Sequence, residues 1–194
     1  MKTLNKVFCL VTIVIFSLLP QFLWGQQKII LDDFNNINGW KINASDLVSV
    51  IPSLAEGKDG SAVKIEYNFK SGSGYGGIQK EFKLKLPKNY IFSFDIKADS
   101  PDNTLEFKLI DKSGDNVWWV NLRNFSFPKN WTKLSFKKRN IIKAWGPLNL
   151  DKPSEIDKIE IIVTSINGGN GAVYIDNLSL EEKDVPDTNP QQPI

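Results

Sequence analysis

The sequence predicts an all-β sandwich, on three observations. From Lys28 to about Glu182 it consists of short runs in which apolar and polar residues alternate, the two-residue period of half-buried strands. Clusters of turn formers separate the runs: EGKDG, SGSGYGG, ADSPDN, KSGDN, FPKN and NGGNG. No convincing amphipathic helix interrupts them.

Residues 1–25 come first, with Lys2 and Lys6, an apolar run from Val7 to Leu19, then Pro20 and the pair Trp24-Gly25. This is the plan of a secretory signal peptide, and the run is shorter than the roughly 20 apolar residues that span a bilayer; the alternative is an uncleaved membrane anchor, since small residues are lacking at the usual spacing around Leu23-Trp24-Gly25. The single cysteine, Cys9, lies inside it, so the mature chain has none. The strands expected next are KIILDDF, SAVKIEYNF, GIQKEFKLKL, YIFSFDIKA, LEFKLIDK, VWWVNLRNF, TKLSFKKR, IDKIEIIVTS and AVYIDNLSL. They fit one domain over residues 26–182, large enough to bury a core of its own. Residues 183–194 carry three prolines and little to bury, and read as a linker or disordered tail.

Composition narrows the chemistry. The chain has 24 basic and 22 acidic residues, and loss of Lys2 and Lys6 with the leader leaves 22 of each. A neutral surface argues against nucleic acid as a partner, because such binding neutralises phosphates with a basic patch. Histidine is absent, which removes imidazole-assisted nucleophiles, imidazole zinc sites and the commonest general base. Without disulfides, stability outside the cytoplasm must come from the core, with a metal as the remaining candidate support.

The stretch DNVWWVNLRN, residues 115–124, carries two adjacent tryptophans on a predicted strand, where neighbours point to opposite faces. Trp118, Val120 and Leu122 form a wholly apolar set that suits a core. Trp119, Asn121 and Arg123 combine a flat ring with amide and guanidinium groups. That is equipment for a sugar: the ring covers the C–H face of a pyranose while polar groups pair with its hydroxyls. The alternative is that Trp119 fills a second core layer or lies under a loop.

Other strands offer polar residues for the same face. Opposite Phe92, Phe94 and Ile96 stand Asp95 and Lys97; opposite Leu105, Phe107 and Leu109 stand Glu106 and Lys108. If these strands neighbour that of Trp119, Asp95 and Glu106 become hydroxyl acceptors beside it; otherwise the face is simply solvated. Trp145 in KAWGPLN and Tyr75 in SGSGYGG are read as loop aromatics that either wall the face or cap an end of the sandwich. Trp40 and Trp131 are assigned to the core. Acidic groups gather in LDDFNN, in EGKDG and at Asp176 in VYIDNLSL. A carboxylate in that last strand needs pairing or a metal, and the oxygens of such loops suit calcium.

Together, LDDF…GW, GKDGSAVKIEY, the central aromatic strand and the terminal VYIDNLSLEE resemble the galactose-binding-like jelly-roll modules. Among these they resemble the carbohydrate-binding modules appended to bacterial glycoside hydrolases, over nearly all of the mature chain. The resemblance implies a jelly-roll β-sandwich with a structural calcium held by Asp33 or Asn35, Glu56 or Asp59, and Asp176; Asp33, Asp59 and Asp176 are the set carried forward. It also implies a carbohydrate site on the concave sheet or its edge loops, which suits Trp119, Asn121, Arg123 and Trp145, with Tyr75, Asp95 and Glu106 added from the residues above. The expected function is secreted, non-catalytic binding of a polysaccharide or oligosaccharide, holding a glycoside hydrolase or a cell surface near it. The rivals are an adhesive protein-binding module and a glycosidase using Asp95 and Glu106.

Overall fold

The computed structural model describes residues 28–70 and 72–184; the leader, and the tail beyond residue 184, lie outside the described residues. The strands are β1 (Lys28–Asp32), β2 (Lys41–Ala44), β3 (Ser49–Glu56), β4 (Ser61–Asn68), β5 (Gly74–Lys85), β6 (Tyr90–Asp99), β7 (Asn103–Ile110), β8 (Val117–Phe125), β9 (Thr132–Lys137), β10 (Ile142–Trp145), β11 (Glu155–Ser165) and β12 (Asn170–Glu182). The one helical element among the described residues is a 3₁₀ turn, Lys138–Asn140. Two antiparallel sheets form a sandwich. The first runs β3-β4-β12-β6-β9, with β1 also on β12; the second runs β10-β8-β7-β11-β5-β2.

The nine expected strands are all present. Three short or interrupted ones, β2, β3 and β10, were not expected. β2 and β10 have four residues each, too few to display a period. β3 contains Pro52, which donates no ladder hydrogen bond and is tolerated here because β3 is an edge strand.

Alternation decides what lies between the sheets. Phe92, Phe94 and Ile96 of β6 face Leu105, Phe107 and Leu109 of β7, and all six are buried. Phe107 lies 5.4 Å, 5.9 Å and 5.5 Å from Phe92, Phe94 and Phe136 between ring centroids. Each such pair contributes about 0.5–1.5 kcal/mol beyond the area it buries. Trp40 is core, as expected, stacked on Phe34 at 5.2 Å with its indole N–H donating to Asp32 Oδ2 at 2.9 Å. Trp131 is not: it is half-buried and outside the core cluster, with Lys97 Nζ 4.8 Å from its ring centroid. Among the described residues no helix is long and apolar enough to cross a membrane.

Candidate functional site

Residues paired across antiparallel strands share a face, so register maps the outer surface of the second sheet. One row crosses all six strands: Ile142, Trp119, Lys108, Glu160, Gln79 and Lys41. The next holds Asn121, Glu106, Ile162, Gly77 and Asn43. A third holds Thr104, Thr164 and Tyr75, with Arg123 exposed at its margin on β8. Trp118 turns the other way and is 1% exposed, in the core.

The expected residues therefore come together, with one exception. Trp119, Asn121, Arg123, Glu106 and Tyr75 lie on this face, and Trp145 packs edge-on against Trp119, centroids 5.7 Å apart. Asp95 does not join them. Its strand, β6, belongs to the first sheet between β12 and β9, and its carboxylate pairs with Lys58 Nζ at 2.8 Å. Asp95 is thereby no hydroxyl acceptor beside Trp119, and the Asp95/Glu106 pair is split between two sheets. Tyr75 and Trp145 are strand residues rather than loop residues, near the start of β5 and at the end of β10.

Charge occupies the middle of the face. Lys108 Nζ pairs with Glu106 Oε2 at 2.8 Å and lies 5.8 Å and 5.6 Å from the ring centroids of Tyr75 and Trp145, so one ammonium sits within cation–π reach of both. Asn121 Nδ2 donates to Glu106 Oε1 at 3.2 Å. Glu160, 6% exposed, has its carboxyl pushed up by burial against the opposing pull of Lys108, Lys158 and a hydrogen bond with Asn43. Glu160 and Thr164 went unrecognised in the sequence, although alternation against Ile159, Ile161 and Val163 places both on this side. Two buried oxygens here have no hydrogen-bond partner, Asn121 Oδ1 and Thr164 Oγ1. A buried polar group left unpaired costs about 1–3 kcal/mol, a cost that a side-chain shift opening either atom to a hydroxyl would relieve.

The Trp145 wall is built from beneath. Asn116, 2% exposed, accepts at Oδ1 from Lys143 Nζ (2.9 Å) and Leu148 N (2.8 Å) and donates from Nδ2 to Asp111 Oδ2 (2.8 Å). The indole N–H of Trp118 donates to Leu150 O at 3.0 Å. Gly146 completes the turn with φ +116, and a Cβ there would lie 2.5 Å from Asn116 Oδ1. Across the face, a Cβ on Gly77 would meet Ile161 O at 2.1 Å, so β5 can approach β11 closely only without one. The face is a platform with an open concavity of about 360 Å³ at one margin, where Thr104, Arg123 and Thr164 are among the lining residues. Larger concavities lie elsewhere among the described residues, including one of about 580 Å³ beside Tyr174 on the first sheet.

The segments expected to hold calcium also converge. Asp176, fully buried, accepts at Oδ2 from the backbone N–H groups of Lys58 (2.9 Å) and Asp59 (3.1 Å), and at Oδ1 from that of Asn177 (2.7 Å). A bulge in β12 with Asn177 at φ 54 accompanies this geometry. Asn177 Nδ2 bridges Asp59 and Asp95, and Asn35 Oδ1 accepts from Ser61 N at 3.1 Å. Asp33 stands apart, bonded to Asn35 N and Nδ2, and the Asn35 amide holds its carboxyl below the usual range. Among the described residues no three carboxylates are grouped closely enough to hold a metal.

No protein-family model and no curated protein sequence matches the chain. Solved structures do. A family 11 carbohydrate-binding module from Clostridium thermocellum, in complex with a β-1,3-1,4-mixed-linked tetrasaccharide, is 20% identical with a TM-score of 0.61 over 79% of this chain and 94% of that one. The family 11 module of the cellulosomal cellulase Lic26A-Cel5E of the same organism is 18% identical, TM-score 0.60, over 83% and 98%. The solution structure of CtCBM11 is 18% identical, TM-score 0.64, over 84% and 99%. The chain has the two-sheet β-sandwich fold of these carbohydrate-binding modules.

Proposed function

We propose that this is an exported, non-catalytic carbohydrate-binding module that lays a polysaccharide or oligosaccharide across the outer face of the second sheet. One observation carries the reading: the rings of Trp119, Trp145 and Tyr75 share one outer face with the polar groups of Lys108, Asn121 and Arg123. Rings supply area for the C–H faces of sugars, and the amide, guanidinium and ammonium groups beside them pair with sugar hydroxyls. The fold likeness to a module solved with a mixed-linked tetrasaccharide makes β-1,3-1,4-glucan oligosaccharides the first ligands to try. Likeness to the module of a cellulase supports a role beside a glycoside hydrolase.

Titration with a glycan panel, followed by tryptophan fluorescence, tests the reading. Saturable quenching or enhancement by one glycan class supports it; no response to any, with capture of a protein ligand by the same face, favours the adhesive alternative. Release of reducing sugar would establish an enzyme, with Glu106 and Glu160 as the carboxylates this face offers. A structural calcium between Asp59 and Asp176 belongs to the proposal as well. Its support is the convergence of the Asn35, Asp59 and Asp176 segments, and Asp33 would have to release Asn35 to take part. N-terminal mass analysis of exported protein tests cleavage near Gly25.

A further inference from the structure

The mature chain is charge-neutral, yet its charges are not evenly spread. At one end of the first sheet, Lys88 and Asn89 of the β5–β6 turn, Tyr90 and Ile91 of β6, Lys137 to Arg139 at the end of β9, and Lys183 after β12 line an open pocket of about 560 Å³. Five of its lining residues are cations and none is a carboxylate. Three acids border it: Glu181 is ion-paired to Lys183, and Glu182 and Asp184 are exposed. Among the described residues no carboxylate pairs with Lys88, Lys137, Lys138 or Arg139.

The pocket is preformed. Lys138 Nζ donates to Lys88 O at 2.9 Å, tying the 3₁₀ turn to the β5–β6 turn, and stands 6.0 Å from the Tyr90 ring centroid. Lys183 N donates to Asn89 O at 3.0 Å, and Asn89 Nδ2 to Asp184 O at 3.0 Å, which ties in the end of β12. Lys137 N donates to Asn140 Oδ1 at 3.0 Å and fixes the turn itself. Holding like charges together in this way costs repulsion, which an anion entering the pocket would relieve.

We propose that this pocket is a second binding site, for a carboxylate or sulfate carried on a sugar unit of an acidic glycan. The volume accommodates a sugar-sized group, Ile91 adds apolar lining for its C–H surface, and the cations meet its charge from several sides. A concave pocket receives a single projecting group, whereas a flat anionic bilayer could touch only its rim. The site lies on the first sheet, apart from the Trp119 face, and does not depend on the function proposed for that face.

The test uses the mature chain with polygalacturonate and dextran sulfate as probes, followed by calorimetric titration. Both Lys88 and Arg139 are exposed, so Lys88→Glu with Arg139→Glu reverses charge without emptying a core. We expect that pair to weaken binding by about 10-fold or more, the size of effect charge complementarity gives. A charge-matched control elsewhere, Lys112→Glu with Lys129→Glu, is expected to stay near the unmodified protein. Binding should fall as salt rises, since exposed charges are screened. Equal loss in the control, no binding of either polymer, or binding to phosphatidylserine vesicles in place of the polymers would overturn the proposal. So would inorganic sulfate binding as tightly as dextran sulfate, because the sugar would then contribute nothing.

Discussion

The indoles of Trp119 and Trp145 meet edge to face, centroids 5.7 Å apart and planes at 83°, although the two residues reach that point from different strands. Trp145 is 49% exposed and Trp119 is half-buried, so the pair offers aromatic surface to solvent at one side of the platform. Beneath it, Trp118 lies in the core and holds Leu150 O through its indole N–H. The adjacent tryptophans thus serve one wall from two sides.

Replacing each in turn should give opposite results. Trp118→Ala empties a fully buried site and should cost about 3–5 kcal/mol, read as a large fall in Tm. Trp119→Ala should leave Tm within a few degrees while weakening glycan binding by about 10-fold or more, as loss of a central aromatic contact does. Equal destabilisation by both, with binding retained, would move the ligand face away from Trp119.

Asn116 touches no part of the proposed platform directly, yet it positions the segment after Trp145. Asn116→Ala leaves Lys143, Leu148 N–H and Asp111 short of a partner and should cost about 1–3 kcal/mol. Glycan affinity should fall several-fold at temperatures where the protein is still folded. A variant with lowered Tm and unchanged affinity would show that Trp145 keeps its place without Asn116.

Glu160 predicts a pH-dependent trade. Burial raises its folded pKa above the unfolded value, so between the two the folded state binds more protons and stability falls as pH rises through that window. Glu160→Gln removes the buried charge at neutral pH and should raise Tm there, by about 2–4 °C for each kcal/mol gained. The gain should vanish well below the ordinary glutamate range, near pH 3, where both forms are neutral. Weakened glycan binding by the same variant would identify the carboxylate as a ligand contact.

The Asp176 junction separates hydrogen bonding from metal binding. Asp176→Ala strands three backbone N–H groups and should destabilise by about 2 kcal/mol or more whether or not calcium is bound. Added calcium should raise the Tm of the unmodified protein and chelator should reverse it, since a ligand of the folded state alone stabilises by mass action. An unchanged melting curve in both media, with Asp176→Ala still destabilised, would leave the junction to its hydrogen bonds.

Much of this architecture was legible in the sequence because alternation is a local property. Phe92, Phe94 and Ile96 declare a buried face of β6 without reference to any other strand, and Trp118 and Trp119 must part company on any strand that holds them both. Edges were harder to read: β10 is too short to show a period, so Trp145 passed for a loop residue, and Pro52 masked β3. Trp131 passed for core because an aromatic after a turn does not disclose that Lys97 will lie against its ring.

By itself the sequence determined the strand-rich class, the absence of imidazole chemistry and the division of each strand into a buried and an outward side. Which outward sides became neighbours was decided only by tertiary structure. Glu106 and Asp95 have the same local pattern, each set among buried apolar residues, yet β7 pairs with β8 and β6 pairs with β12 and β9. One carboxylate therefore reaches the tryptophan face while the other closes against Lys58 on the opposite sheet. The reason is physical: side-chain alternation follows from the backbone of a single strand, whereas strand order follows from long-range pairing and loop closure, which no two-residue period encodes.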